Sequence, residues 1–133
     1  KKVIFTHLHY DHIGNFDLFA KAEFYASKEA IEDFKKMPAM VVLDPLLAVR
    51  FEVKLNTLEK LDGFRIIKTP GHTRGSICLF YEKEKVLFSG DTLFFNDNFG
   101  RTDLFDSAPD KMEESLNKLR KINYKILAPG HDY

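Results

Sequence analysis

Short apolar runs, rich in β-branched and aromatic residues, alternate with polar and glycine-containing segments along the chain. Runs of this length and composition predict buried strands. We expect strands at residues 3–5, 64–67, 76–81, 85–89 and 126–127. The charged turn Glu82-Lys83-Glu84 separates two of these runs, so residues 76–81 and 85–89 are expected to form a hairpin.

Helical patterns lie between the predicted strands, at residues 16–20, 28–36 and 109–122. Pro38 is expected to end the second helix, because proline disfavours the helical conformation just before it. In the third helix, Pro109 lies in the first turn, and Ser107 or Asp106 is expected to cap the N-terminus. The face of this helix that meets the core is expected to hold Met112, Leu116 and Leu119.

Residues 43–58 fit neither pattern clearly, and we interpret them as a strand with a loop over the functional site. The mixture of strands and helices in this order predicts an α/β (α+β) fold. A length of 133 residues suits one domain that covers residues 1–133. The chain begins at Lys1 rather than methionine and reads as part of a longer protein.

The charge balance gives no support to nucleic-acid binding. Lys and Arg total 20, as do Asp and Glu, so the formal net charge is zero and the basic field that attracts phosphate backbones is missing. No apolar stretch has the length of a membrane span, and no signal-peptide pattern opens the chain. The single cysteine, Cys78, lies in an apolar run and cannot form an internal disulfide. We therefore expect a cytoplasmic protein with no membrane or nucleic-acid partner and a buried Cys78; the oligomeric state stays open.

The segment from Thr6 to Gly14, THLHYDHIG, carries the strongest chemical signal. In an extended segment, His7 and His9 are two residues apart and point to the same side, so both imidazoles can bind one cation. Asp11 and His12 follow where the chain is expected to turn into a helix. Their side chains would therefore approach the cation from a different direction than His7 and His9. Imidazole and carboxylate ligands suit Zn²⁺, and also iron or manganese.

All five histidines of the chain fall near the ends of predicted strands. Besides the three in the first segment, His72 and His131 each occur in the tripeptide Pro-Gly-His, and Asp91 follows the predicted strand at residues 85–89. Side chains just beyond strand ends are where layered α/β folds commonly build their sites. The pattern therefore predicts one shared metal site with these ligands: His7, His9, Asp11, His12, His72, Asp91 and His131.

These motifs resemble those of the metallo-β-lactamase superfamily. THLHYDHIG is similar to its first signature, TPGHTRGS to its second, FSGDTLF to its third and APGHD to its last. The run FGRTDLF resembles an element of glyoxalase II-like and persulfide dioxygenase-like members. The resemblance implies an αββα sandwich with metals at one edge of two facing sheets, and here without the family's leading N-terminal strands.

The resemblance also implies roles for the ligands. The first metal would be held by His7, His9 and His72, and the second by Asp11, His12 and His131, with Asp91 bridging the two. Two divalent metals, zinc first and iron or manganese as alternatives, would share a hydroxide that attacks an acyl carbonyl. Asp11 would be catalytic as well as a ligand, since it could orient this hydroxide and accept its proton.

Two residues beside the ligands are candidates for substrate contact. Tyr10 points away from its histidine neighbours in an extended segment, so packing in the core is an equal alternative. Arg101 could orient substrate, although an ion pair with Asp103 that braces the loop is the more common role for such a pair. Thr73 and Ser76 are expected to fix the turn around His72.

Three functions remain open at this stage. The first is hydrolysis of a small ester or thioester, as in glyoxalase II-like enzymes, with lactone hydrolysis as a variant. The second is a mononuclear iron dioxygenase acting on a persulfide, which by resemblance would use His7, His72 and Asp91 alone. The third is a metal-stabilised binding domain, which seven potential ligands make the weakest, because a closed structural site needs only four.

Overall fold

Two separate β-sheets form the frame of the molecule in the computed structural model, which describes all of residues 1–133. The first sheet is parallel, with the order β1 (Lys2–Ile4), β2 (Glu23–Ala26) and β3 (Leu55–Thr57). The second has the order β4 (Phe64–Lys68), β5 (Ile77–Tyr81), β6 (Val86–Gly90) and β7 (Ile126–Pro129). Its first three strands are antiparallel, while β7 runs parallel to β6.

Five α-helices and three short 3₁₀ helices connect the strands. The α-helices are α1 (Tyr10–Ile13), α2 (Lys28–Lys36), α3 (Pro38–Val42), α4 (Pro45–Arg50) and α5 (Met112–Arg120). The 3₁₀ helices are Phe16–Phe19, Phe95–Asp97 and Pro109–Lys111. None of these helices is both long enough and apolar enough to cross a lipid bilayer.

Alternation along β5 explains how the layers stack. Ile77 and Leu79 pack in a cluster with residues of the first sheet, including Ile4, so this cluster lies between the sheets. Their neighbours Cys78 and Phe80 point the other way, since successive strand residues face opposite sides, and they pack against α5. A third cluster joins the outer side of the first sheet to α2, α3 and α4. The layers are thus helix, sheet, sheet, helix, which confirms the predicted αββα sandwich of mixed strands and helices.

Several local predictions are confirmed by the structure. All five predicted strands and the hairpin are present, and α2 spans residues 28–36 as expected. Met112, Leu116 and Leu119 are buried on one face of α5. Cys78 is fully buried, and burial raises the pKa of its thiol to about 11, which fits a packing role rather than a nucleophilic one.

The structure corrects the interpretation of residues 43–58, which contain α4 followed by the short strand β3 rather than a strand with a loop. Asp44 caps this helix, because its side chain accepts a hydrogen bond from the backbone N–H of Leu47 at 3.0 Å. Pro45 occupies the first turn, where its missing N–H costs nothing. The pair Asp44-Pro45 was therefore an overlooked helix start.

The predicted cap of the third helix was also wrong. Neither Ser107 nor Asp106 caps it: the segment begins as a 3₁₀ turn after Ala108, and no side chain makes a capping hydrogen bond. Ser107 instead donates to the backbone carbonyl of His72 at 2.7 Å, and Asp106 contacts His9. Both polar side chains are thus used around the functional site. Two smaller differences are that residues 16–19 form a 3₁₀ helix, and that Pro38 begins α3 besides following α2.

Candidate metal centre

Seven side chains that can bind metal converge at the end of the sandwich where strands of both sheets finish. They are His7 and His9 after β1, Asp11 and His12 in α1, His72 after β4, Asp91 after β6, and His131 after β7. Their ligand atoms form three overlapping groups, and within each group all atoms lie within 4.8 Å of one another. The structure therefore brings together every residue that the sequence predicts as a ligand.

The first group consists of three buried histidines, His7, His9 and His72. His72 Nε2 lies 3.1 Å from His9 Nδ1. The three rings are nearly perpendicular to one another, at 82° to 86°, and one nitrogen of each lies within 4.8 Å of the other two. Three imidazole nitrogens arranged in this way leave a fourth position of a tetrahedral cation open.

The second group consists of Asp11, His12 and His131 and is more accessible to solvent. Asp11 Oδ2 lies 3.1 Å from His131 Nε2 and 3.7 Å from His12 Nε2. The three side chains come from the short helix α1 and from the loop after β7. A mixed set of one carboxylate and two imidazoles suits a divalent cation such as zinc, iron or manganese.

Asp91 lies between the two groups. Its Oδ2 atom is 3.3 Å from His72 Nε2 and 3.4 Å from His131 Nε2, while its Oδ1 atom is 3.2 Å from His12 Nε2. His7 Nε2 lies 3.8 Å from the same Oδ2 atom, and His7, His12 and Asp91 form the third group. The carboxylate therefore faces two histidines of the first group and two of the second. Asp91 thus lies between the two groups, and its role as a bridge stays a prediction.

Three buried polar atoms of this cluster have no hydrogen-bond partner: His7 Nε2, His12 Nε2 and Asp91 Oδ1. His12 Nε2 and Asp91 Oδ1 are only 3.2 Å apart, but the angles at the two atoms do not fit a hydrogen bond. We interpret this pair as an electrostatic contact. Buried polar groups in folded proteins nearly always have partners, because leaving them unpaired is costly. Cations at this centre would satisfy all three atoms, so the residues present fit a metal.

Burial and charge favour the protonation states that bind metal. Burial lowers the pKa of His7 well below 6.5, with further lowering by the neighbouring histidines, and burial also lowers the pKa of His72. Burial alone would raise the pKa of Asp91, but its contacts with His12 and other histidines hold this pKa below the usual value. Neutral imidazoles and an ionised carboxylate are the forms that coordinate cations. The shifts therefore favour the metal-binding forms of His7, His72 and Asp91 at neutral pH.

These shifts make the metal-free protein sensitive to acid. Because folding lowers the pKa of His7 and His72, the unfolded chain binds more protons than the folded chain just below pH 6.5. Their contribution to stability is therefore complete above pH 6.5 and is lost as the pH falls towards the folded-state values. We expect thermal melts of chelator-treated protein to give a lower Tm at pH 5.5 than at pH 7.5. His7→Gln should weaken this dependence, and an equal or higher Tm at pH 5.5 would contradict the assignment.

Three contacts from outside the cluster fix the orientation of its first histidines. Thr6 Oγ1 lies 3.1 Å from His7 Nδ1, and His72 Nδ1 donates to the backbone carbonyl of Arg101 at 2.7 Å. His9 Nε2 donates to Asp106 Oδ1 at 3.3 Å. In each case the other ring nitrogen is left facing the cluster. Such outer partners set the tautomer of a ligating histidine and raise its basicity.

Sequence reasoning missed the role of Asp106. The residue lies 97 positions from His9 in the chain, and no local pattern connects the two. Arg101 was singled out for its side chain, yet it is its backbone carbonyl that contacts His72. Neither contact has a signal in a single sequence, because both depend on how the loop at residues 100–107 packs onto the site.

The Asp106 contact leads to a prediction about metal affinity. Asp106→Ala is expected to weaken metal binding by about 10- to 100-fold, since His9 would lose the acceptor that orients it. Asp106→Asn should lose less, because the amide oxygen can still accept from His9 Nε2. Competition with a coloured chelator measures the affinity directly. Asp103→Ala is the matched control, since Asp103 is exposed and pairs only with Arg101; an equal loss in both variants would refute the role of Asp106.

Two glycines allow the loops to approach the ligands closely. A Cβ atom at Gly130 would collide with Asp91 Oδ1 and lie 2.8 Å from His12 Cε1. A Cβ atom at Gly100 would collide with the backbone carbonyl of Asp91 and lie 2.8 Å from His72 Nδ1. The glycine of the second Pro-Gly-His tripeptide is thus required by packing against the metal site.

The two predicted substrate residues lie beside the cluster. Tyr10 is 49% exposed and lines the cavity above the ligands, so the alternative of core packing was wrong. Arg101 lines the same cavity, and its guanidinium contacts Asp103 at 2.6 and 2.9 Å, as the ion-pair interpretation predicted. Thr73 and Ser76 bond to each other at 2.8 Å and fix the turn after His72. Whether Tyr10 and Arg101 touch substrate stays a prediction.

Comparisons with known proteins agree with this geometry. The sequence profile of the Metallo-beta-lactamase superfamily matches residues 1–131. A hydroxyacylglutathione hydrolase of Bartonella quintana is 30% identical over 146 residues, covering 98% of this chain and 48% of the relative. A probable metallo-hydrolase of Methanocaldococcus jannaschii is 32% identical over 143 residues, covering 98% of this chain and 56% of the relative. The chain thus spans about half the length of the curated relatives that it matches.

Among solved structures, TTHA1623 in a di-iron-bound form superimposes with a TM-score of 0.78 and 25% identity, over 99% of this chain and 70% of that one. The match of the profile to nearly the whole sequence shows the family, and the superposition supports it. The chain belongs to the metallo-β-lactamase superfamily.

Proposed function

We propose that this chain forms the metal-binding part of a hydrolase that cleaves a small ester or thioester with two divalent metal ions. Zinc is the first candidate, and iron or manganese are alternatives. The observation that carries the proposal is the arrangement of seven ligand side chains, three in each of two groups and Asp91 between them. The relatives named as hydroxyacylglutathione hydrolase and the di-iron neighbour support it.

Each residue of the cluster has a part in this proposal. His7, His9 and His72 would hold one metal; Asp11, His12 and His131 would hold the other; Asp91 would bridge them. When bound, the two cations lower the pKa of a water molecule towards neutrality and polarise the substrate carbonyl. No serine or cysteine nucleophile is needed, which agrees with the buried and protonated Cys78.

Asp11 is proposed as the catalytic carboxylate of the chain. Its side chain is about one-third exposed and lines the cavity, so it can reach a water molecule and substrate. An ionised carboxylate in this position orients the attacking water and accepts its proton. The contact with His131, at 3.1 Å, fixes the direction of the Asp11 carboxylate.

The competing function, a mononuclear iron dioxygenase acting on a persulfide, would use His7, His72 and Asp91. Asp91 Oδ2 lies 3.3 Å from His72 Nε2 and 3.8 Å from His7 Nε2, so these three residues also converge. That arrangement would leave His12 and His131 without a ligand role, although both lie within 3.4 Å of Asp91. The two-metal hydrolase accounts for more of the site.

An activity assay with metal removal tests the proposal. The full-length protein is stripped with a chelator, reloaded with zinc, iron or manganese, and assayed for thiol release from acyl thioesters and for hydrolysis of esters and lactones. We expect hydrolysis that depends on added metal and consumes no oxygen. Oxygen consumption with a persulfide substrate and a single iron, without hydrolysis, would instead establish the dioxygenase.

A further inference from the structure

A cavity of about 680 Å³ opens directly above the candidate metal centre. This volume falls within the range of small-molecule sites in proteins. Five of the seven candidate ligands form its floor, and the walls are largely apolar. Asn98, Gly100 and Arg101 also line it, and the six apolar or aromatic side chains of the walls are Tyr10, Leu43, Phe94, Phe99, Leu104 and Tyr133.

The aromatic wall is built around one metal ligand. Tyr133 stacks on His131 with 5.0 Å between ring centroids and 14° between planes. Phe94 packs edge-on against both rings, at 5.4 Å from Tyr133 and 5.9 Å from His131. An acyl group whose carbonyl lies at the metals would therefore have aromatic faces beside it.

The charges that line the cavity do not favour an anionic acyl group. Its only lysine or arginine is Arg101, and both of its contacts go to Asp103, which neutralises it. The two carboxylates of the lining, Asp11 and Asp91, belong to the proposed metal centre. Among the residues of this chain, a carboxylate on the far end of a substrate would therefore meet no unpaired lysine or arginine, and burying it there would be unfavourable.

Leu43 stands out among the wall residues because of its backbone. It ends α3 with φ 67°, in the left-handed region, where glycine or asparagine is normally found. A bulky side chain is strained in this conformation, and such strain concentrates at functional sites. In this conformation the apolar side chain of Leu43 is 38% exposed and lines the cavity.

From these observations we infer that the substrate carries an uncharged, apolar acyl group, and that Leu43 is a specificity-determining residue that contacts this group. The inference rests on the proposed ester or thioester hydrolysis and names the substrate class of the same site. Thioesters, open esters and lactones can all carry such an acyl group, which is the part of the substrate that the cavity would contact.

The test is a series of thioesters of one small thiol, with straight acyl chains from acetyl to octanoyl and with succinyl as the charged member. Metal-loaded, full-length protein is expected to gain about two- to fourfold in kcat/KM for each added methylene until the cavity is filled. The succinyl thioester should be at least about tenfold poorer than the butanoyl thioester, because its carboxylate finds no free cation.

Variants at position 43 separate specificity from folding. Leu43→Asn should flatten the dependence on chain length while Tm changes little, since asparagine adopts the left-handed backbone more readily than leucine. Leu43→Met should keep the dependence. Leu46→Asn is the control, because Leu46 is 84% exposed on α4, lies outside the cavity lining and should leave the series unchanged.

The outcomes separate this inference from the function on which it rests. A preference for succinyl over butanoyl, or an unchanged chain-length dependence in Leu43→Asn, would overturn the apolar acyl assignment while hydrolysis itself stood. If the folded, metal-loaded protein cleaved no member of the series, no ester and no lactone, the proposed function and this inference would both fall.

Discussion

Replacing His9 by alanine is expected to lower metal-dependent kcat/KM by about 10³-fold or more. His9 is buried, and its Nδ1 atom faces His72 Nε2 at 3.1 Å, so the variant removes one of three nitrogens from the first group. The several kcal/mol that a catalytic metal contributes correspond to a loss of this size. Steady-state kinetics on thioester hydrolysis, with metal at saturating concentration, measure the effect.

The same variant also distinguishes the two enzymatic hypotheses. A mononuclear site made from His7, His72 and Asp91 does not use His9 as a ligand, so it would keep its metal in His9→Ala. Melting curves of the metal-free proteins serve as the control, because they show whether the variant folds. A folded His9→Ala protein with full metal content and full activity would refute the two-metal assignment.

Replacing Asp91 by asparagine is expected to reduce the bound metal from two ions to fewer than one per chain and to abolish hydrolysis. Asp91 lies within 3.4 Å of histidines from both groups and carries the only negative charge between them. Asparagine keeps the shape of the side chain but cannot offset the charge of two neighbouring cations, which repel each other strongly at short distance. Elemental analysis and thiol-release kinetics on the same preparation measure both effects.

Asp103→Asn is the matched control for this variant, because Asp103 is an exposed carboxylate that pairs only with Arg101. It is expected to leave the metal content unchanged. If Asp91→Asn retained two metals per chain, Asp91 would not be the bridge and the arrangement of the centre would need another explanation.

The metal centre was predictable because its signal is local. Histidines and an aspartate directly follow apolar runs, and each run is short enough to be a strand that ends at the ligand. Strands of a layered fold finish at a shared edge, so separate segments such as those before His72 and His131 meet in space. Spacing of two residues placed His7 and His9 in one group, as the structure also has them.

The first sheet was harder to predict because its strands are short. β2 and β3 have four and three residues, and Tyr25 and Asn56 give no clear alternation of apolar and polar positions. These strands are defined by parallel pairing with a neighbour far away in the sequence, and such pairing has no local signal. The helix α4 was missed for a different reason: its capping pair Asp44-Pro45 is a local signal that was available.

The contacts that orient the ligands lay beyond what one sequence can show. The sequence position of Asp106 is equally compatible with capping the following helix. Only the packing of the loop brings its side chain to His9 instead. The left-handed backbone of Leu43 is likewise a result of tertiary structure, since leucine does not favour that conformation by itself. Local sequence thus predicted which potential ligands come together, while the contacts that orient them depend on tertiary packing.

The metal content per chain shows whether the candidate centre binds one metal or two. Elemental mass spectrometry is applied to full-length protein purified without added metal and without chelator. If Asp91 joins two metal positions as proposed, the protein should contain close to two equivalents of divalent metal per chain, zinc or a zinc-rich mixture. One equivalent of iron, or a folded full-length protein that binds a single metal even after incubation with excess zinc, would contradict it.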